Sequence, residues 1–282
     1  MARIAGSSHG ESRLRMLRVV RRGDRHDPRD LTISFRFEGE FSAAFLEGRS
    51  DILLPGETIK NLVHSAAREH GAGEIETLAI ALCTEALSRQ PRITRARVEI
   101  AEERWQRLEA GGKAQPQVFI GGTGERRTAN VTSNGTQVSV AAGIEQLTLM
   151  RSAGFTSTRR GEDDDGGVGD GLQRLLVGDL SARWTYTSSD VTFGPYRHGV
   201  RNAILDTVAW HASRSVQHAL YAAADVILTT YEEIADVTLS FRERPYRLAD
   251  PFATGTRPDA PDDLFVAIDE PLGIVEVTVE RS

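Results

Sequence analysis

Apolar and polar residues alternate from Leu14 to Arg22 and again from Leu31 to Phe41, a period of two that predicts an antiparallel pair of strands. Ile52–Leu54 reads as a further short strand ahead of a tight turn at Pro55-Gly56. The period then lengthens. Ile59, Leu62, Val63, Ala66 and Ala67 lie on one stripe, and Ile75, Leu78, Ala79, Leu82, Cys83, Ala86 and Leu87 on another, so two amphipathic helices are expected. Pro91 stops the second helix, and strand alternation returns through Ala96, Val98 and Ile100, with one more strand over Gln117 to Val131. The remainder repeats this order: strands near Gln137 to Arg151 and Leu180 to Thr192, helices from about Gly199 to His211 and Ser215 to Thr229, then strands at Ala235 to Phe241 and Gly273 to Glu280. The pattern predicts an α+β fold of two tandem halves, 1–135 and 136–282, each an antiparallel sheet with two helices on one face.

Arg159 to Gly171, "RRGEDDDGGVGDG", has neither period nor apolar positions and is expected to be a mobile surface loop. It lacks the ligand spacing of an EF-hand, and the histidines offer no metal spacing, so no metal is expected. The 282 residues carry a net charge of -6, which argues against a nucleic-acid partner. No apolar run approaches a membrane span and no signal-peptide core opens the chain, so the expectation is a cytoplasmic protein with no membrane partner. The single cysteine, Cys83, excludes an intramolecular disulfide and falls on a helix stripe, as a buried inert thiol would.

Five stretches in order and register carry a resemblance: "GETIKN" at 56–61, "AGIEQLTLMRSAG" at 142–154, "LSARW" at 180–184, "SVQHALY" at 215–221 and the closing "PLGIVEVTVERS". Together they resemble urate oxidase (uricase). The resemblance implies the tunnelling fold, in which two such halves join and four chains form a homotetramer around a central tunnel. It also implies active sites at subunit interfaces, and urate oxidised there by O2 with no metal or organic cofactor.

The resemblance also locates departures. Where that family has a Thr-Asp turn this chain has Gly56 and Glu57, and "HGE", His9-Gly10-Glu11, stands where "YGK" supplies a catalytic Lys. "RERP", Arg242 to Pro245, stands where "PNKH" supplies an Asn at the O2 position and a proton-relaying His, so Glu243 and Pro245 replace them. The substrate-holding positions are kept better: Arg174 for one edge of the ring, and the Val216 N–H with the Gln217 amide for the other. Phe155 is the nearest candidate for the stacking ring, although gap-free counting puts Ser157 there.

An Arg fork and a Gln amide suit a flat heterocycle with urea-like edges. Glu11, Glu57 and Glu243 would raise one another's pKa if they converged, giving a general acid or base near neutral pH, with His9 as a substitute proton relay. Acids in place of the Lys disfavour the negative charge that builds up in urate oxidation. The expected function is therefore a cofactor-independent, uricase-like enzyme on a purine-like heterocycle, with O2 oxidation favoured. The alternatives are a non-catalytic heterocycle-binding or structural homologue, and Glu-assisted hydration or hydrolysis of a ring. Each carboxylate also has a plain structural reading: Glu57 as a helix-start acid, Glu11 and Glu243 as solvated strand-end charges.

Overall fold

The computed structural model describes residues 2–152, 175–249, 264–269 and 273–281. The 159–171 loop, Phe155 and Arg174 lie outside them. The chain runs through β1 (Ser8–Arg22), β2 (Arg25–Gly39), the short α1 (Ser42–Leu46), α2 (Gly56–His70), α3 (Ile75–Arg89), β3 (Ile93–Glu103), β4 (Gln106–Ala110), β5 (Lys113–Ile120) and β6 (Arg126–Ser133). It continues through β7 (Val138–Arg151), β8 (Leu176–Tyr186), α4 (Phe193–Trp210), α5 (Val216–Thr230), β9 (Ile234–Glu243), β10 (Tyr246–Leu248), β11 (Phe265–Ala267) and β12 (Ile274–Glu280). Eight strands pair antiparallel in the order β1-β2-β3-β6-β7-β8-β9-β12, and the hairpins β4-β5 and β10-β11 stand apart from that sheet. The layering is the α+β arrangement that the alternation predicts.

Alternation in each strand sends one set of side chains under the helices. Leu31, Ile33, Phe35 and Phe37 on β2, Val98 and Ile100 on β3, Ile144 on β7 and Trp184 on β8 are almost wholly buried. They meet Val63 of α2, Leu78 and Leu82 of α3, Ile204 of α4 and Ile227 of α5 in one continuous core. Burying each such side chain contributes about 1.5–3 kcal/mol before chain entropy is counted. The opposite face is polar: Arg95, Arg97 and Glu99 of β3 are exposed. Arg36 stands directly across from Arg97, and the Arg97–Glu99 pair at 2.9 Å offsets part of that repulsion.

β1 and β7 break register in the same way. Ser12 and Arg13 stand opposite Ser34 alone, and Glu145 and Gln146 stand opposite Ser181 alone. Among the described residues, Arg13 and Gln146 are the non-glycine residues with left-handed backbone, at φ 58 and φ 57. Two residues against one is a β-bulge, which twists the strand and re-aims the side chains beside it. The bulge of β1 directly follows Glu11.

Several boundaries differ from the sequence pattern. The strand expected over Gln117 to Val131 is split into β5 and β6, because Gly121, Gly122 and Gly124 interrupt it. β8 ends at Tyr186 rather than near Thr192, and α4 begins at Phe193 rather than near Gly199. Pro195 lies in the first turn of α4, where the missing N–H needs no helical partner. Ile52–Leu54 joins no strand; a 3-10 turn over Ser50–Ile52 leads into extended Leu53. Cys83 is fully buried, and burial pushes its thiol up to about 12. Among the described residues no helix is long and apolar enough to cross a membrane.

Candidate functional site

Glu11 and Gly56 come together. β1 runs past the start of α2, and a Cβ built on Gly56 would lie 2.4 Å from Glu11 Oε1. The half-buried carboxylate therefore occupies the space that a side chain at position 56 would take, and the two residues are one packing unit. The turn that carries Gly56 is tied to β1, since the Leu54 N–H donates to His9 Nε2 at 3.1 Å. The His9 ring packs edge-on against Phe41 at 4.5 Å and tilted on Phe37 at 5.4 Å, and burial holds its pKa below the usual histidine value.

Glu57 points elsewhere. It is exposed in the first turn of α2, where a carboxylate favours the helix dipole, and accepts from Lys60 Nζ at 2.8 Å. The Lys60 hydrogen bond and charge hold Glu57 below the usual carboxylate range. The Lys60 pKa is raised in turn, first by Glu57 and to a smaller degree by Glu11. Lys60 is thus a cation within electrostatic reach of Glu11. Its place one turn after Glu57 is visible in the sequence as an i,i+3 pair, but its reach toward Glu11 depends on how α2 docks on β1.

A second group forms around the last strands. Val216 and Gln217 open α5, whose N-cap Ser215 accepts the His218 N–H at 3.1 Å. Val216 lines an apolar cleft with Met150, Leu176, Leu180 and Phe241, while Gln217 is exposed. Glu243 ends β9 on the same face as Phe241, opposite Gly178, and its N–H donates to the Gly273 carbonyl at 2.8 Å. Its carboxylate packs over Gly273, where a Cβ would lie 2.9 Å from Glu243 Oε2.

Within one chain these groups stay apart. Glu11 lies on the first strand of the sheet order and Glu243 on the seventh. Six strand spacings put roughly 29 Å of sheet between them. Glu11, His9 and Gly56 form one cluster at one end of the sheet; Val216, Gln217 and Glu243 lie on α5 and β9, toward the other end.

Sequence reasoning missed a buried charge cluster between α3 and α4. Glu76, in the first turn of α3, is fully buried, and Arg197 of α4 is 4% exposed. Arg197 Nη1 lies 2.5 Å from Glu74 and 3.6 Å from Glu76. Burial pushes the Glu76 carboxyl up to about 7, against the pull of Arg197. Beside it, buried Glu102 pairs with Arg29 and, at 3.7 Å, with Arg127.

One antiparallel sheet with a helical layer, a repeated β-bulge and candidate ligand groups at its two ends defines a two-ended α+β protein. A family model described as Uricase matches residues 140–276. The chain is 28% identical to the uricase of Arthrobacter globiformis over 99% of this chain and 90% of that protein. It is 24% identical to the uricase of Danio rerio, over 98% and 94%. The crystal structure of the Arthrobacter globiformis uricase superposes with a TM-score of 0.89 at 27% identity, covering 100% of this chain and 96% of that one. A uricase from Bacillus fastidious shares the fold at TM-score 0.81 and 17% identity. The chain is similar to uricases in sequence over nearly its whole length and in fold.

Proposed function

We propose that this chain is a urate-oxidase-like enzyme that oxidises a flat, purine-like heterocycle, neutral or cationic rather than the urate anion, with O2 as the electron acceptor. The tandem halves 1–135 and 136–282 are supported by the bulge recurring at Arg13 and Gln146. A homotetramer with sites shared between subunits is supported by the six strand spacings, roughly 29 Å of sheet, that lie between Glu11 and Glu243 within one chain. No metal or organic cofactor is called for in this reading, as in the resemblance that motivates it.

The observation that carries the reading is Glu11 against Gly56: a carboxylate and a bare backbone where an ammonium and a hydroxyl would stabilise an anionic ring. In the proposed site Arg174 and Gln217 grip the two edges of the ring, the Val216 N–H adds a donor, and Phe155 stacks on it. Glu11 of the adjoining subunit accepts a ring N–H proton. Two electrons and two protons pass from the ring to O2, leaving an oxidised ring and hydrogen peroxide. Glu243 takes the O2-side position, while Glu57, already held by Lys60, has the weakest case as a base.

The test is O2 uptake in air-saturated buffer with urate, and in parallel with neutral and cationic purines. Uptake with a neutral or cationic ring and little with urate is expected. Rapid urate turnover overturns the substrate assignment. Thermal stabilisation by such rings without O2 uptake selects the second reading, a heterocycle-binding homologue, which the Glu57–Lys60 pairing favours because it removes one free base.

A further inference from the structure

His9 precedes Glu11 by two residues on β1, and both point to the helix side, half-buried. Its Nε2 receives the Leu54 N–H at 3.1 Å. A backbone amide can only donate, so Nε2 must carry the lone pair and the ring proton must sit on Nδ1. Nδ1 is buried and has no hydrogen-bond partner among the described residues. The ring is thus held neutral, wedged against Phe37 of β2 and Phe41. Leu54 is followed by Pro55, whose carbonyl takes the Thr58 and Ile59 N–H groups at 2.9 and 3.1 Å and so starts α2. The next residue is Gly56, against Glu11.

We propose that neutral His9 is a positioning residue: its Nε2 pins the Leu54-Pro55-Gly56 turn to β1 and so sets the start of α2 against Glu11, and protonation of the ring releases that turn. An imidazolium carries N–H on both nitrogens, so Nε2–H would face the Leu54 N–H, donor against donor. Phe37 and Phe41 offer the imidazolium no hydrogen-bond acceptor. The charged groups on the elements packed here are Glu11 on β1 itself, Arg36 of β2 with Arg97 and Glu99 of β3, which line the same cavity as His9, and Glu57 and Lys60 on α2, those last two paired with each other. The inference builds on Glu11 as a site residue but does not need turnover to be tested.

The test is hydrogen exchange over residues 53–58, as protection factors corrected for intrinsic rates, from about pH 8 down to about pH 5. It is run on the wild-type chain, His9→Gln and His9→Phe. In the wild type, protection is expected to be level above the ordinary histidine pKa of about 6.5 and to fall by up to about tenfold per pH unit below it, until the lowered pKa of the pinned ring is reached. His9→Gln, whose amide oxygen can take the Leu54 N–H but does not titrate, should stay level. His9→Phe should be weakly protected throughout. Peptides from α5 serve as the control for global unfolding, and if His9→Phe does not fold, the wild type against His9→Gln decides. A level wild-type profile, or a His9→Gln profile that follows the wild type, overturns the proposal. Because the readout is exchange, its failure is distinct from failure of the oxidase reading.

Discussion

Gly56 and Glu11 set the chemistry of their end of the sheet jointly. Gly56→Ala puts a methyl group where Glu11 Oε1 now lies, but the obstacle is the free end of a side chain and can swing aside. The expected stability loss is under about 1 kcal/mol, read by thermal unfolding. Glu11→Gln should leave stability nearly unchanged while weakening a cationic heterocycle by about tenfold or more, because a charge-assisted hydrogen bond becomes a neutral one. Calorimetric titration with a protonated purine checks this; unchanged affinity would remove Glu11 from the site. Cys83 gives a separate residue-level expectation. Buried, with its thiol pushed up to about 12, it should ignore an aromatic disulfide reagent in the native protein and react once the chain is unfolded.

Between elements, the sharpest expectation concerns the α3–α4 contact. Glu76 has its folded pKa raised from 4.5 to about 7 by burial. The folded state therefore holds this proton more tightly than the unfolded chain does. The stability it contributes is complete below about pH 4.5, declines as pH rises, and is lost by about pH 7, on the order of 3 kcal/mol in all. Glu76→Gln should flatten that part of the stability–pH curve, read by denaturant titration across the range. Arg197→Met should cost about 3–5 kcal/mol at neutral pH, since it leaves Glu76 and Glu74 without their cation. Nothing in the helical period marks Glu76 as buried: an acid in a first turn reads as a dipole-favouring surface residue, and only docking α4 over it changes that.

For the whole molecule, the open edges β1 and β12 and the separation of Glu11 from Glu243 make assembly the deciding property. If the site joins Glu11 of one subunit to Gln217 of another, Glu11→Gln and Gln217→Ala should each be impaired alone. Random mixing of the two variants should then restore about a quarter of the wild-type sites. Ligand binding or O2 uptake by co-expressed variants measures this, and no restoration would mean that each site is built within one chain.

Much of the fold was legible because both periods are enforced by one core. Residues such as Phe35, Val98 and Leu82 must all face the same buried layer, so alternation and stripe predict strand and helix. Boundaries were less legible where a local signal has two meanings: Pro195 can end a helix or start one, and the glycines after Ile120 can bend a strand or cut it. The sequence also offered Glu11, Glu57 and Glu243 as one acidic set, since sequence order carries no distance. Within one chain, β1 packing on α2 brings Glu11 to Gly56, Glu57 pairs with Lys60 at the surface, and six strand spacings of sheet lie between Glu11 and Glu243, so whether the three meet depends on how subunits adjoin. Periodicity is set by which face of an element is buried and can be read one element at a time. The pairing of charges depends on which elements meet, and that is decided only when the whole sheet and its helices close on a common core.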